Sequence, residues 1–330
     1  LELYCRVGDY GKKSEATIIE FRILPAWWQT WWLRSLVLMA IVFVLYLLYK
    51  YRTKTLIKRQ EQLEETIKEK TAEVIEQKQE AENQRDIAHE QKELIEEVHK
   101  EIKDSINYAK RIQSAILPPA KLVKEYLNNS FILYKPKDVV AGDFYWLEHK
   151  DDKTLFAAAD CTGHGVPGAM VSVICNGALN RSVREYGLSD PAQILNKARD
   201  IVIQEFEKSD EDVKDGMDIA LCSLEGNTLK YAGAHNPLWI IRNGEVLETK
   251  ANKQPIGKFD KQSPYTTHTF ELEKEDSIYI FSDGYVDQFG GEKGKKFKSK
   301  AFRSLLLSMQ DKPMEEQRVL LDEAFETWRG

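Results

Sequence analysis

The sequence predicts an α+β layered domain over residues 120–330, preceded by a long helical segment and a short pair of strands. Three observations give this. Tandem apolar runs at 219–224 and 229–231, parted by Gly226-Asn227, read as antiparallel hairpins. Apolar residues at helical spacing fill separate blocks at 168–186, 190–207, 300–310 and 314–328. From 56 to 116 a heptad alternation runs without a skip.

Composition bounds the partners. The 330 residues leave room for two domains plus connectors, and 42% hydrophobic with 30% charged is an ordinary globular balance. A net charge of -6 argues against nucleic acid, whose phosphates are held by clustered Lys and Arg. Cys161, Cys175 and Cys222 form no CxxC or zinc spacing and read as single buried thiols of a reducing compartment. The sequence starts at Leu1 and stops at Gly330 directly after a helical stretch, so a piece of a longer polypeptide is expected.

Residues 3–7 and 17–23 carry strand signals around a Gly8-Asp9-Tyr10-Gly11 turn and read as the last hairpin of an upstream β domain (1–26). An apolar segment at 27–50 follows. Its uncharged run from Ser35 to Tyr49 is flanked by Trp27, Trp28, Trp31 and Trp32 on one side and by Tyr49, Lys50, Tyr51 and Arg52 on the other. Counted from Trp31, about 19 residues suffice to cross a bilayer. The aromatic belt and the basic flank place the amino-terminal side outside and the remainder in the cytoplasm. Cys5 would then sit in an oxidising compartment.

Residues 51–117 read as a coiled-coil linker. One row runs from Gln60 through Ile67 and Val74 to Ile95, Ile102, Ala109 and Ile116; the other joins Leu56 and Leu63 to Val98, Ser105 and Ile112. The middle layers are polar or alanine. A parallel homodimer is the expected way to cover such a seam, a solvated single helix being the alternative. Leu117-Pro118-Pro119 ends it. Beyond it, strands are expected at 130–134, 143–147, 154–159, 217–224, 228–232, 238–242 and 277–281.

Four acidic motifs lie in this last region: Ala141-Gly142-Asp143-Phe144, Ala159-Asp160-Cys161-Thr162-Gly163-His164-Gly165, Asp215-Gly216-Met217-Asp218 and Phe281-Ser282-Asp283-Gly284. Except in the third, each aspartate closes an apolar or β-branched run, so a strand is expected to deliver it to a glycine-rich turn. Carboxylates arriving from separated strand ends can converge on a pair of hard cations, with glycines letting backbone carbonyls approach. The pattern points to a metal-dependent hydrolase.

Taken with Ala232-Gly233-Ala234-His235-Asn236-Pro237 and Gln254-Pro255-Ile256-Gly257, these motifs resemble the SpoIIE/RsbU branch of the metal-dependent PPM protein serine/threonine phosphatases. The resemblance implies an α/β/β/α sandwich and two Mn²⁺ or Mg²⁺ ions. It implies that Asp160 bridges the ions, that Asp143 and the backbone carbonyl of Cys161 bind one, and that Asp283 binds the other. An activated water would then attack the phosphorus of a phosphoserine or phosphothreonine. The substrate it suggests is a small regulatory protein such as a STAS-type anti-sigma-factor antagonist. More locally, the strand pair and the Pro25-Ala26-Trp27-Trp28-Gln29-Thr30-Trp31-Trp32 phrase that closes it are similar to the end of a triple-tyrosine sensor domain.

Gly163 and Gly165 read either as a plain strand-to-helix turn or as one that presents a helix N-terminus to an anionic substrate. His164 is expected as a turn histidine, with a general acid as the alternative, and His235 as a loop-shaping residue. Asp215 and Asp218 are expected to shape the site or hold a third, weak metal. The resembled family also closes its site with a late aspartate in a strand; nothing up to Gly330 supplies it, and Asp322 reads as helical. The rival expectation is a catalytically silent domain that binds a partner and transmits conformation.

Overall fold

The computed structural model describes residues 2–3, 17–18, 26–208 and 213–330. The chain divides into two compact units, Leu1–Leu94 and Ile95–Gly330. In the first, β1 (Glu2–Leu3) pairs antiparallel with β2 (Thr17–Ile18), and a 3-10 turn, Trp27–Gln29, precedes α1 (Trp31–Ile116). Cys5 and most of the two amino-terminal strand segments lie outside the described residues. Among the described residues one helix is long and apolar enough to cross a membrane; its apolar window has mean hydropathy 2.1 and is 0% buried.

The second unit begins with the last part of α1, followed by α2 (Ala120–Tyr126), β3 (Phe144–Lys150), β4 (Lys153–Cys161), α3 (Gly165–Arg184) and α4 (Pro191–Phe206). Then come β5 (Met217–Glu225), β6 (Thr228–Ala234), β7 (Leu238–Arg242), β8 (Glu245–Thr249), β9 (His268–Glu271) and β10 (Ser277–Ile280). A small ribbon, β11 (Phe289–Gly290) and β12 (Lys295–Lys296), and the helices α5 (Ser299–Ser308) and α6 (Met314–Arg329) complete it. The strands form a five-stranded antiparallel sheet, β3-β4-β5-β6-β9, and a three-stranded one, β10-β7-β8.

Turn chemistry sets this topology. Asp151 and Asp152 adopt φ of 50° and 61° between β3 and β4, and Asn243-Gly244 adopts 50° and 76° between β7 and β8. Such left-handed pairs match the twist of adjoining strands and close two-residue hairpins.

Strand alternation sets the layers. Ile219 and Leu221 of β5 pack with Leu155 of β4 against Cys175, Leu179 and Ile194 of α3 and α4. The intervening Ala220 and Cys222 face Leu238 and Ile240 of the second sheet. Trp239 and Ile241 turn the other way, onto Phe302, Leu306 and Leu321 of α5 and α6. Helices, sheet, sheet and helices therefore stack in that order, and the central strands β5 and β7 are buried on both faces.

Three expectations need correcting. Residues 130–134 form no strand. Phe131 and Leu133 instead pack half-buried on the outer core, with no ladder partner to make the segment β. Asp143 stands just before β3 rather than inside a strand. The helix α3 also starts at Gly165, a turn earlier than the sequence suggested.

Candidate active site

The register of β4 against β5 puts Asp160 directly opposite Asp218. Like charges in facing positions destabilise a sheet unless something neutralises them. Phe144 pairs with Ala159, which brings Asp143, one residue earlier, to the same end of the sheet. Asp283 arrives from the other sheet, in the turn after β10, where its neighbour Ser282 donates from Oγ to Asp143 Oδ2 at 2.6 Å. Asp160 lies within hydrogen-bonding reach of both Asp143 and Asp283. Carboxylates from the first, second and fourth motifs thus meet.

Burial, and after it the charges of Asp143, Asp283 and Asp218, push the Asp160 carboxyl up to about 8. Asp283 is raised as well, first by burial and then by Asp287 and Asp143, with partial relief from its hydrogen bond to Asp160. From the third motif it is Asp218, not Asp215, whose charge acts on both. An all-oxygen donor set with this much unbalanced negative charge suits a hard divalent cation. Among the described residues no three His, Cys, Asp or Glu side chains are by themselves grouped closely enough to hold a metal ion. Carbonyls and waters would complete the shell, as Mg²⁺ sites commonly have it.

One such carbonyl is in place. A Cβ on Gly142 would stand 2.9 Å from the Cys161 carbonyl oxygen and 2.6 Å from that of Gly163, so only glycine admits this approach beside Asp143. The Cys161 thiol is buried and raised well above the usual thiol range, by burial first and by Cys175 next. It is an inert core group, which leaves the carbonyl as the chemically useful end of the residue.

The turn after β4 uses glycine at φ 89° (Gly163) and 62° (Gly165). Between them His164 occupies the N-cap of α3 with no side-chain cap bond; its Nδ1 lies 3.3 Å from Asp138 Oδ2, and the ring is 75% exposed. His235 takes φ 55° in the β6–β7 turn and places Nδ1 2.8 Å from Asp218 Oδ1. It both shapes its loop and engages the third motif. Thr162 ties the second motif to the third, donating its N–H to the Gly216 carbonyl at 3.0 Å. Asp322 is helical and pairs with Lys135.

Sequence reasoning passed over Asp138, Tyr134, Gln113 and Ser282. Tyr134 donates its hydroxyl to the Asp143 carbonyl at 3.1 Å, and Gln113 holds the backbone of Ala141. Only Ser282 carried a usable signal, its place immediately before Asp283.

The family model for stage II sporulation protein E (SpoIIE) matches residues 150–329. Among solved structures, the SiaA-PP2C domain of Pseudomonas aeruginosa is similar at 33% identity and TM-score 0.64, over 71% of this chain and 92% of that one. The PP2C phosphatase domain of Bacillus subtilis SpoIIE, solved with a fragment of its regulatory domain, aligns at 20% identity and TM-score 0.45, over 56% of this chain and 53% of that one. The RsbU and RsbW domains of a Mycobacterium tuberculosis protein align at 17% identity and TM-score 0.46, over 58% and 52%. No curated protein matches. Asp160, Asp218 and Asp283 fall within the family match and Asp143 just ahead of it. With the model covering more than half its length, this chain belongs to the SpoIIE family and carries a PP2C-type serine/threonine phosphatase domain.

Proposed function

We propose that this protein is a membrane-anchored signalling phosphatase that removes phosphate from a phosphoserine or phosphothreonine of a regulatory protein, such as an anti-sigma-factor antagonist of the STAS type. The observation that carries the reading is the meeting of Asp143, Asp160 and Asp283 from distant parts of the chain. Their carboxylates and the Cys161 carbonyl would hold two Mn²⁺ or Mg²⁺ ions. When bound, such a pair supplies Lewis-acid activation of water and neutralises phosphoryl charge.

The remaining work falls to the chain. Asp160, pressed from three sides by other acids, stays in place because its strand is paired along both edges. Asp283 sits in the turn after β10 with its outer side open to solvent and its inner side against the other acids, so the cluster can be approached from that edge. His164 with Asp138 and His235 with Asp218 stand as oriented imidazoles around the carboxylates, suited to shaping the turns and contacting substrate.

Membrane anchorage is supported by the bare apolar face of α1, where Leu38 and Met39 are 65% and 69% exposed. A parallel homodimer is supported by the exposed heptad rows, Leu63, Ile67 and Val74 among them. In this reading residues 1–26 end an outside sensor, 27–50 cross the bilayer, 51–117 relay the signal, and 120–330 form the enzyme.

Asp160→Asn and Asp283→Asn in the full-length protein are expected to abolish Mn²⁺-dependent phosphate release from a phosphoprotein while melting stays cooperative. Unchanged turnover in either variant refutes the site.

A further inference from the structure

Asp143 is held at both of its ends by groups that carry no charge. It precedes β3 of the five-stranded sheet, whereas Ser282 follows β10 of the three-stranded sheet, 139 residues further along. The 2.6 Å bond from Ser282 Oγ to Asp143 Oδ2 therefore links the two sheets at the carboxylate cluster. Tyr134 grips the other end, its hydroxyl donating to the Asp143 carbonyl at 3.1 Å. Its ring is steadied edge-on against Tyr145 with centroids 5.6 Å apart.

These bonds matter because Asp143 faces repulsion. Asp160 lies within hydrogen-bonding reach and Asp283 is close enough to feel its charge. A free aspartate so placed would rotate towards water. The Ser282 hydroxyl occupies one lone pair of Oδ2 and leaves Oδ1 available.

We propose that Ser282, seconded by Tyr134, is a positioning residue that fixes the Asp143 carboxylate before any cation arrives and so sets the affinity for the divalent ion. The inference rests on the metal-dependent reading above. Hydrogen bonds to ligating carboxylates typically govern metal affinity by about 10- to 100-fold.

The test is calorimetric titration of Mn²⁺ into the full chain, solubilised in detergent and stripped with EDTA. Ser282→Ala is expected to weaken binding about tenfold or more, and Ser282→Thr, which keeps the hydroxyl, to restore most of it. Ser282→Ala binding as tightly as the unaltered chain, while Asp160→Asn binds weakly, overturns this proposal and spares the metal reading. An unaltered chain that takes up no Mn²⁺ overturns both. Should Ser282→Ala fail to fold, Tyr134→Phe keeps the ring packing and decides the matter: weakened Mn²⁺ binding supports the positioning role, and unchanged binding removes it.

Discussion

The side-chain amide of Gln113 grips the backbone of Ala141 with both its ends, Nε2 donating to the carbonyl at 2.5 Å and Oε1 accepting the N–H at 3.1 Å. It is the one buried residue of α1, and its Nε2 also reaches Ser172 Oγ of α3 at 3.0 Å. A helix end, the loop into Asp143 and the first helix after Asp160 are thereby joined through one side chain. Gln113→Ala would leave a buried N–H and a buried carbonyl without partners, at a cost of about 2–4 kcal/mol. Urea unfolding of the protein should register that loss. A variant as stable as the parent would show that water satisfies both groups.

The raised Asp160 carboxyl has a pH signature in the metal-free protein. Its ordinary value is 3.8 and its folded value about 8. Between these limits the folded chain keeps a proton that the unfolded chain releases, so stability falls as pH rises through this window. Asp283 shifts in the same direction. In EDTA the melting temperature should be higher at about pH 5.5 than at about pH 8.5, and saturating Mn²⁺ should remove the difference. A metal-free melting temperature that climbs with pH would contradict this.

Gly168 packs against the turn that follows Asp160. A Cβ there would stand 2.5 Å from the Gly163 carbonyl oxygen and 3.1 Å from the Gly142 Cα. Both are backbone contacts of one tight layer, with no flexible side chain to yield. Gly168→Ala should destabilise the domain by about 1–3 kcal/mol in spite of alanine's better helix propensity. A gain in stability, read by thermal melting, would mean that the turn can relax.

How much of this could be read in advance differs from element to element. The limits expected for β7 coincide with those observed, 238–242, since Leu238-Trp239-Ile240-Ile241 make an apolar run bounded by Pro237 and Asn243. β8 escaped notice although Asn243-Gly244 is a strong hairpin signal, because Glu245, Glu248 and Thr249 mask its pattern. β9, an edge strand reading His-Thr-Phe-Glu, is half polar for the same reason. Segment 130–134 misled in the opposite sense: its alternation marks which side chains touch the core, and that does not require a partner strand. At the site, acids in glycine turns were conspicuous in the sequence. Asp138, Tyr134 and Gln113 were not, because their importance arises from contacts across many intervening residues.

The pairing of Asp160 with Asp218 carries a last implication for how this protein can change over time. Side chains alternate along a strand, so adding or deleting a single residue in β4 or β5 would turn the acids towards the wrong layer and bring hydrophobic groups into their place. Point changes around the rim leave that alignment untouched. Length variation is therefore confined to the loops between strands, and the register of β4 against β5 is as much an inherited constraint as the acids themselves.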